Sequence, residues 1–250
     1  MDATQTIRDA VARVSTLRQL ALAQPNLHSA ISTVKRIQAK RFSVTYADLL
    51  LSKEYGSAAR FFLEELYSDG DFSQRDAQFS RIAKALKTFF PKRVVDTAVS
   101  LANLHILTEE LDYLMAVAWL SAQGSEAPQE LTERSAHFYL LAWRTVGRAE
   151  ARSQQLLAVL SVGRELNRLT RTRGLRTMLK MMHGPANAAG LGALQKFLES
   201  GFDTFADMAN QNGGADEFLM LIEQRESLWI NQLFDSDFTQ CEIELQKHLD

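Results

Sequence analysis

Tyr113-Leu114-Met115-Ala116-Val117-Ala118-Trp119-Leu120 is the longest apolar run in the chain. It falls far short of the ~20 residues a helix needs to cross a bilayer, so it reads as a helix segment buried inside a folded protein. Leu101-Ala102-Asn103-Leu104-His105-Ile106-Leu107 precedes it, and the two belong to one long helix expected over about 92 to 122. Apolar residues recur at three and four elsewhere: Ile7, Val11, Val14 and Leu17, then Phe79, Ile82 and Leu86, and later Leu219, Ile222 and Leu233 with Trp229. No convincing alternating strand pattern occurs. The expected fold is all-α, a single multi-helix bundle of about ten helices forming one domain over 1–250. Helical halves 1–123 and 129–250 are possible, divided at Gln123-Gly124-Ser125-Glu126-Ala127-Pro128-Gln129.

Helices are expected at about 3 to 22, 26 to 41, 44 to 53, 55 to 68, 73 to 90, 92 to 122, 130 to 146, 148 to 171, 174 to 183, 186 to 209 and 215 to 234, with a frayed tail to 249. Ser73 ahead of Asp76 is a helix-start pattern, and Pro91 marks a stop and restart after Phe89-Phe90. Gly184-Pro185 is expected to break the chain in the same way. Asn210-Gln211-Asn212-Gly213-Gly214 reads as a second loop.

The composition is 46% hydrophobic and 23% charged, which excludes a disordered chain. A net charge of −2 provides no bulk attraction to nucleic acid or to an anionic membrane, so neither is an expected partner. Cys241 is the only cysteine, which excludes an internal disulfide and fits a reducing compartment. Met1-Asp2-Ala3-Thr4-Gln5 has no basic-then-apolar leader, and the expected location is cytoplasmic.

Phe61-Phe62-Leu63-Glu64-Glu65-Leu66-Tyr67 is the most distinctive string. On a helix Phe62, Leu63, Leu66 and Tyr67 form one apolar arc, while Phe61, Glu64 and Glu65 fall outside it. Burial between neighbouring helices explains the arc, and a docking patch centred on Phe61 is the functional alternative. The heptad resembles the signature of an uncharacterised bacterial family, the FFLEELY-motif proteins. Arg41-Phe42, Tyr46, Asp48-Leu49-Leu50 and Arg75-Asp76 are similar to that family too. The resemblance implies a bacterial, cytoplasmic protein and transfers no activity, cofactor or residue role.

No metal centre and no cofactor are expected. Carboxylate-bridged centres use Glu-x-x-His, and none of His28, His105, His137, His183 or His248 has an acidic residue three positions earlier. His105 and Glu109 are spaced to share a hydrogen bond on one helix face. His105, in its apolar stretch, and His183, beside Met181 and Met182, are also candidate tetrapyrrole contacts. Gly184, Gly190 and Gly192 follow no strand and lack a phosphate-binding lysine. Ala186, Ala189, Gly190, Ala193 and Gly201 instead suit a close helix crossing, or a flat ligand against Gly190.

Residues 134–180 carry ten Arg and Lys against two Glu, whereas 185–250 carry twelve Asp and Glu against three basic residues. Arg144, Arg148 and Arg152 are expected to line one helix face, paired with the acidic C-terminal helices or with a partner. No catalytic motif is present, so a non-enzymatic protein-interaction or scaffold module, which includes self-association, is the expected function. The alternative is a carrier or sensor holding an apolar or tetrapyrrole ligand between helices. Phe61, Glu64, His105, Glu109, His183 and Gly190 are the candidate ligand-binding residues, and Arg144, Arg148 and Arg152 the candidate interaction residues.

Overall fold

Asp2 turns the chain into its first helix: its carboxylate accepts from the Thr4 amide at 3.4 Å, satisfying one of the free donors of the first turn. From there the computed structural model describes residues 2–65, 67, 70, 72–89, 92–123, 131–209 and 213–250. Among them are twelve helices: α1 (Ala3–Leu22), α2 (Pro25–Thr45), α3 (Ala47–Leu51), α4 (Gly56–Glu65), α5 (Ser73–Phe89), α6 (Lys92–Gln123), α7 (Ser135–Val146), α8 (Ala149–Thr170), α9 (Leu175–Ala188), α10 (Gly192–Met208), α11 (Gly214–Asp235) and α12 (Phe238–Lys247). The described residues include no strand, so the all-α expectation holds. Leu66, the Phe90-Pro91 junction, the 124–129 part of the dividing stretch and Asn210–Asn212 lie outside the described residues, as does the side chain of Leu86.

α6 is the spine, packing against α1, α2, α5, α7 and α8. Its apolar run is two-faced: Met115, Ala116 and Trp119 are fully buried, while Leu114 and Val117 face outward. Four apolar clusters form around this spine. One joins Trp119, Tyr139, Leu140 and Leu245, and a second joins Phe42, Tyr46, Phe62, Phe205 and Phe218. Smaller ones gather Ile7 with Ala98 and Ala102, and Leu169 with Leu179 and Phe202. Helices α8 and α11 cross where Gly163 meets Leu219; a Cβ there would sit 2.6 Å from Leu219 Cδ2.

Three sequence expectations are corrected. The chain does not break at Gly184-Pro185, because α9 runs through Pro185 to Ala188. Proline removes one amide donor and blocks the carbonyl four residues earlier, that of Met181, whose side chain is exposed. The helix ends instead at Gly190, at φ +69°. The Leu191 amide bonds the Ala186 carbonyl at 2.8 Å and the Gly190 amide bonds that of Asn187 at 3.0 Å, the paired bonds of a glycine-terminated helix. The expected frayed tail is helix α12, capped by the Asp237 carboxylate on the Gln240 amide at 3.0 Å and anchored by buried Cys241 and Leu245. Arg144, Arg148 and Arg152 do not share a face. Gly147 (φ +63°) and Arg148 (φ +60°) take left-handed conformations that end α7 and redirect the chain into α8.

Pro185→Ala restores the missing donor inside α9, and its melting curve should show a gain of about 1–2 kcal/mol, the interior proline penalty less the proline's entropic benefit in the unfolded chain. A neutral or destabilising result would mean that Pro185 opens a separate helix.

Candidate functional site

The spine helix carries an inward seam at Val95, Ala98, Ala102, His105, Glu109, Asp112, Ala116 and Trp119, spaced alternately by three and four. His105, Glu109 and Asp112 interrupt it at consecutive positions, and the facing helices present polar side chains to the same place. Lys35, Gln38 and Arg41 come from α2, Glu65 from α4, Arg75 and Asp76 from α5, Arg152 and Gln155 from α8, and Glu226 from α11. Together they line one end of a cavity of about 230 Å³. Apolar side chains complete the lining, among them Leu101, Val159, Leu166, Leu169, Leu198 and Phe202. All four apolar clusters contribute to its wall.

The cavity is polarised along its helices. On α6 the lining runs from Val94, Ala98 and Leu101 to His105, Glu109 and Asp112, and on α8 from Leu169, Leu166 and Val159 to Gln155 and Arg152. Gln155 donates to the Thr108 hydroxyl at 2.8 Å, which brings the two polar ends together. Val94 and Asp112 are separated by ~27 Å of helix axis at 1.5 Å per residue.

Burying charge costs several kcal/mol per ion unless partners compensate, and most of these ions have partners. Arg41 makes a two-pronged pair with Glu226, at 3.0 and 2.8 Å, and Tyr46 donates to the same carboxylate at 3.0 Å. Burial disfavours the Arg41 cation, but the charge and hydrogen bonds of Glu226 outweigh this and raise its pKa. Lys35 donates to Glu109 at 2.8 Å. Asp76 accepts from Arg18 at 2.7 Å and faces His105 Nε2 at 2.9 Å, while Arg75 pairs with Glu65 at 2.7 Å. Burial pushes the Asp76 and Glu109 carboxyls upward, yet His105 with Arg18, and Lys35 with His105 and Arg18, hold both below the ordinary range.

Two ions escape this pairing. Asp112 accepts from Gln38 at 2.9 Å and has no cation in ion-pair range among the described residues, and burial raises its carboxyl above the ordinary value. Arg152, 5% exposed, stacks its guanidinium 4.2 Å over the Trp143 ring and gives Nη1 to Gln155 at 3.1 Å. No carboxylate among the described residues lies in ion-pair range of it, and burial lowers its pKa. Its Nη2 and the Trp143 Nε1 are both buried without an acceptor among the described residues.

Of the residues singled out in the sequence, His105, Glu109 and Arg152 meet at this cavity. The others lie apart. Phe61 is buried rather than presented, stacked on Phe197 at 5.8 Å and pressed toward Gly201, where a Cβ would lie 3.1 Å from its ring. It borders a separate void of about 50 Å³. Glu64 points to solvent, and its neighbour Glu65 faces the cavity. His183 is exposed beside Glu199 at 3.1 Å, and Gly190 terminates α9. Arg144 binds the Leu233 and Ser236 carbonyls at the end of α11, at 3.0 and 2.6 Å, and Arg148 is exposed. The basic and acidic segments do meet at Arg164–Glu223 (3.2 Å) and Arg176–Asp203 (2.8 Å). Sequence reading assigned no site role to Arg41, Asp76, Asp112, Tyr139, Trp143 or Glu226. The available signal was the charge at inward positions of α6 and α2.

Among the described residues no three His, Cys, Asp or Glu side chains converge as metal ligands, and no helix is long and apolar enough to cross a membrane. The arrangement defines an all-α protein with a partly open, polarised cavity. Residues 17–240 match the family described as "Domain of unknown function (DUF8198)", and the chain belongs to that family. No curated protein and no solved structure matches it.

Glu226→Gln leaves the buried Arg41 guanidinium without a counter-charge, and chemical denaturation should register a loss of about 3–5 kcal/mol. Replacing the pair together, Arg41→Met with Glu226→Leu, should recover most of it. The raised pKa of Asp112 makes its ionisation in the folded state unfavourable, so its contribution to stability falls as pH rises through the folded value. Asp112→Asn, which keeps the Gln38 acceptor, should therefore melt higher than the parent near neutral pH, with the difference vanishing in acid. A difference independent of pH would refute the assignment.

Proposed function

We propose that this chain is a binding protein that holds a small organic molecule in the cavity between α2, α6 and α8. The observation that carries this reading is the joining of a charged end and an apolar end in one partly open cavity. A folded protein has no packing reason to leave such a space open, because unfilled volume forfeits contacts and polar burial is costly. Holding suits the site better than turnover. Its carboxylates other than Asp112 are committed to cations, and His105 is engaged by Asp76.

Size favours a slender ligand. At about 230 Å³ the cavity lies below the ~300–1,000 Å³ common for drug-sized ligands, which argues against a tetrapyrrole. His105 Nε2 is also turned to Asp76 rather than left open as an axial ligand. The protein-interaction reading has less support, since Phe61 is an internal packing residue and the large exposed apolar side chains among the described residues are spread over nine helices. Cavity walls drawn from both sides of the 124–129 stretch support treating 1–250 as one domain. A cytoplasmic location and the FFLEELY kinship remain part of this proposal.

1-Decanol, a neutral slender probe, should bind with one-site saturation in calorimetry and raise the melting temperature. Leu101→Trp, which fills the apolar end, should abolish both effects while the circular dichroism spectrum stays helical. Absence of saturable decanol binding, or binding unchanged in Leu101→Trp, would overturn the reading.

A further inference from the structure

We infer that the ligand is a single-chain amphiphile with a monoanionic carboxylate head, bound by Arg152 and Trp143, its chain running toward Leu101, Leu166 and Leu169. The inference rests on the reading of the cavity as a binding site and assigns the chemistry of what fills it.

The head group follows from what the polar end lacks. Three lining cations are spoken for, Lys35 by Glu109, Arg41 by Glu226 and Arg75 by Glu65, and Arg18, outside the lining, pairs with Asp76. Arg152 is left as the cation without an ion-pair partner among the cavity's described residues. Its Nη2 and the Trp143 Nε1 are donors without acceptors, held together by the 4.2 Å stack of guanidinium on indole. Two buried N–H groups without an acceptor among the described residues, one of them on a guanidinium that feels the charge of Asp112 only from outside ion-pair range, call for a negatively charged group with two acceptor oxygens, which describes a carboxylate. A phosphate monoester, with roughly −1.5 to −2 charge, would leave excess negative charge beside Glu109 and Glu226. A neutral alcohol would leave the guanidinium unbalanced.

Asp112 is compatible with this head. Burial raises the Asp112 carboxyl, which weakens its opposition to an anionic head beside Arg152. The tail follows from direction. Beyond Gln155 every cavity residue of α8 is apolar, Leu156, Val159, Leu166 and Leu169 in turn, and the facing residues of α10 include Leu198 and Phe202. The narrow cavity accommodates an unbranched chain along this path and not a fused ring system.

Calorimetric titration of the full chain with decanoate, 1-decanol and decyl phosphate at one ionic strength tests the assignment. Decanoate should bind at least ten-fold tighter than 1-decanol, with decyl phosphate weaker than decanoate. Arg152→Met should cost decanoate about 10–100-fold, as expected for one lost charged hydrogen bond, and leave 1-decanol within about two-fold. Trp143→Phe, which keeps the ring and removes one donor, should lower decanoate affinity several-fold and spare the alcohol, so the result does not depend on Arg152→Met folding. If 1-decanol binds and decanoate binds no better, the head-group assignment fails and the binding reading stands. If both variants weaken alcohol and acid alike, Arg152 and Trp143 are structural and the inference is wrong. If decyl phosphate binds tightest, the monoanion is wrong. If no probe binds, the binding reading itself has failed.

Discussion

Three polar side chains at consecutive inward positions of α6, Glu109 and Asp112 buried and His105 partly so, impose the constraint that the surrounding helices answer. His105, Glu109 and Asp112 sit where the seam from Val95 to Trp119 otherwise buries apolar groups. Each would be costly there alone. Compensation comes from helices distant in sequence: Arg18 on α1, Lys35 and Gln38 on α2, and Asp76 on α5. Burying the spine therefore also selects its neighbours. An apolar seam would accept many packings, whereas this one leaves its charges unpaired unless α1, α2 and α5 take their places. Arg41 and Glu226 extend the same demand to α11 through a pair that Tyr46 completes.

The heptad Phe61 to Tyr67 shows how packing and site can share one short segment. Phe61 and Phe62 enter the aromatic core, and the glycine at 201 lets α10 approach the Phe61 ring. That anchoring sets the end of α4, so that Glu65 and Tyr67 reach the cavity wall. Tyr67 stacks on Phe42 at 4.5 Å, one residue along α2 from Arg41. A distinctive motif in which Phe61 and Phe62 pack while Glu65 and Tyr67 face a cavity cannot be read as either one alone. This is why Glu64, equally acidic and adjacent, is merely solvated.

How much was legible in the sequence follows from which interactions are local. Helical spacing is local, so the all-α class and most helix positions were readable from residues such as Ile7, Val11 and Val14. Helix ends were less so. Gly184-Pro185 looked like a stop because proline's preference is strong, yet Gly190, six residues on, holds the terminating bonds. Arg144, Arg148 and Arg152 follow a helical period on paper, but two left-handed residues between α7 and α8 separate them. The cavity was less legible still. His105 and Glu109 drew notice as a pair, but their partners Asp76 and Lys35 lie 29 and 74 positions away. Only the inward phase of Asp112 and Arg41 hinted that the charge was not solvated, and phase becomes decisive only once the seam's direction is known.

Stability and site chemistry pull against each other at Arg152. A guanidinium buried on an indole with Nη2 idle is worse for folding than an apolar residue of similar volume, since desolvation is not repaid by a carboxylate. The same holds for Asp112, which burial holds toward its neutral form. Packing alone explains neither residue, and the rest of the cavity shows that this fold can pair its ions when stability is at stake, as Arg41 with Glu226 demonstrates. The two exceptions line the same cavity, and apolar walls continue from it along α6 and α8. A site held ready for a guest has this form: donors fixed in advance by stacking and neighbours, so that little ordering cost remains when the guest arrives.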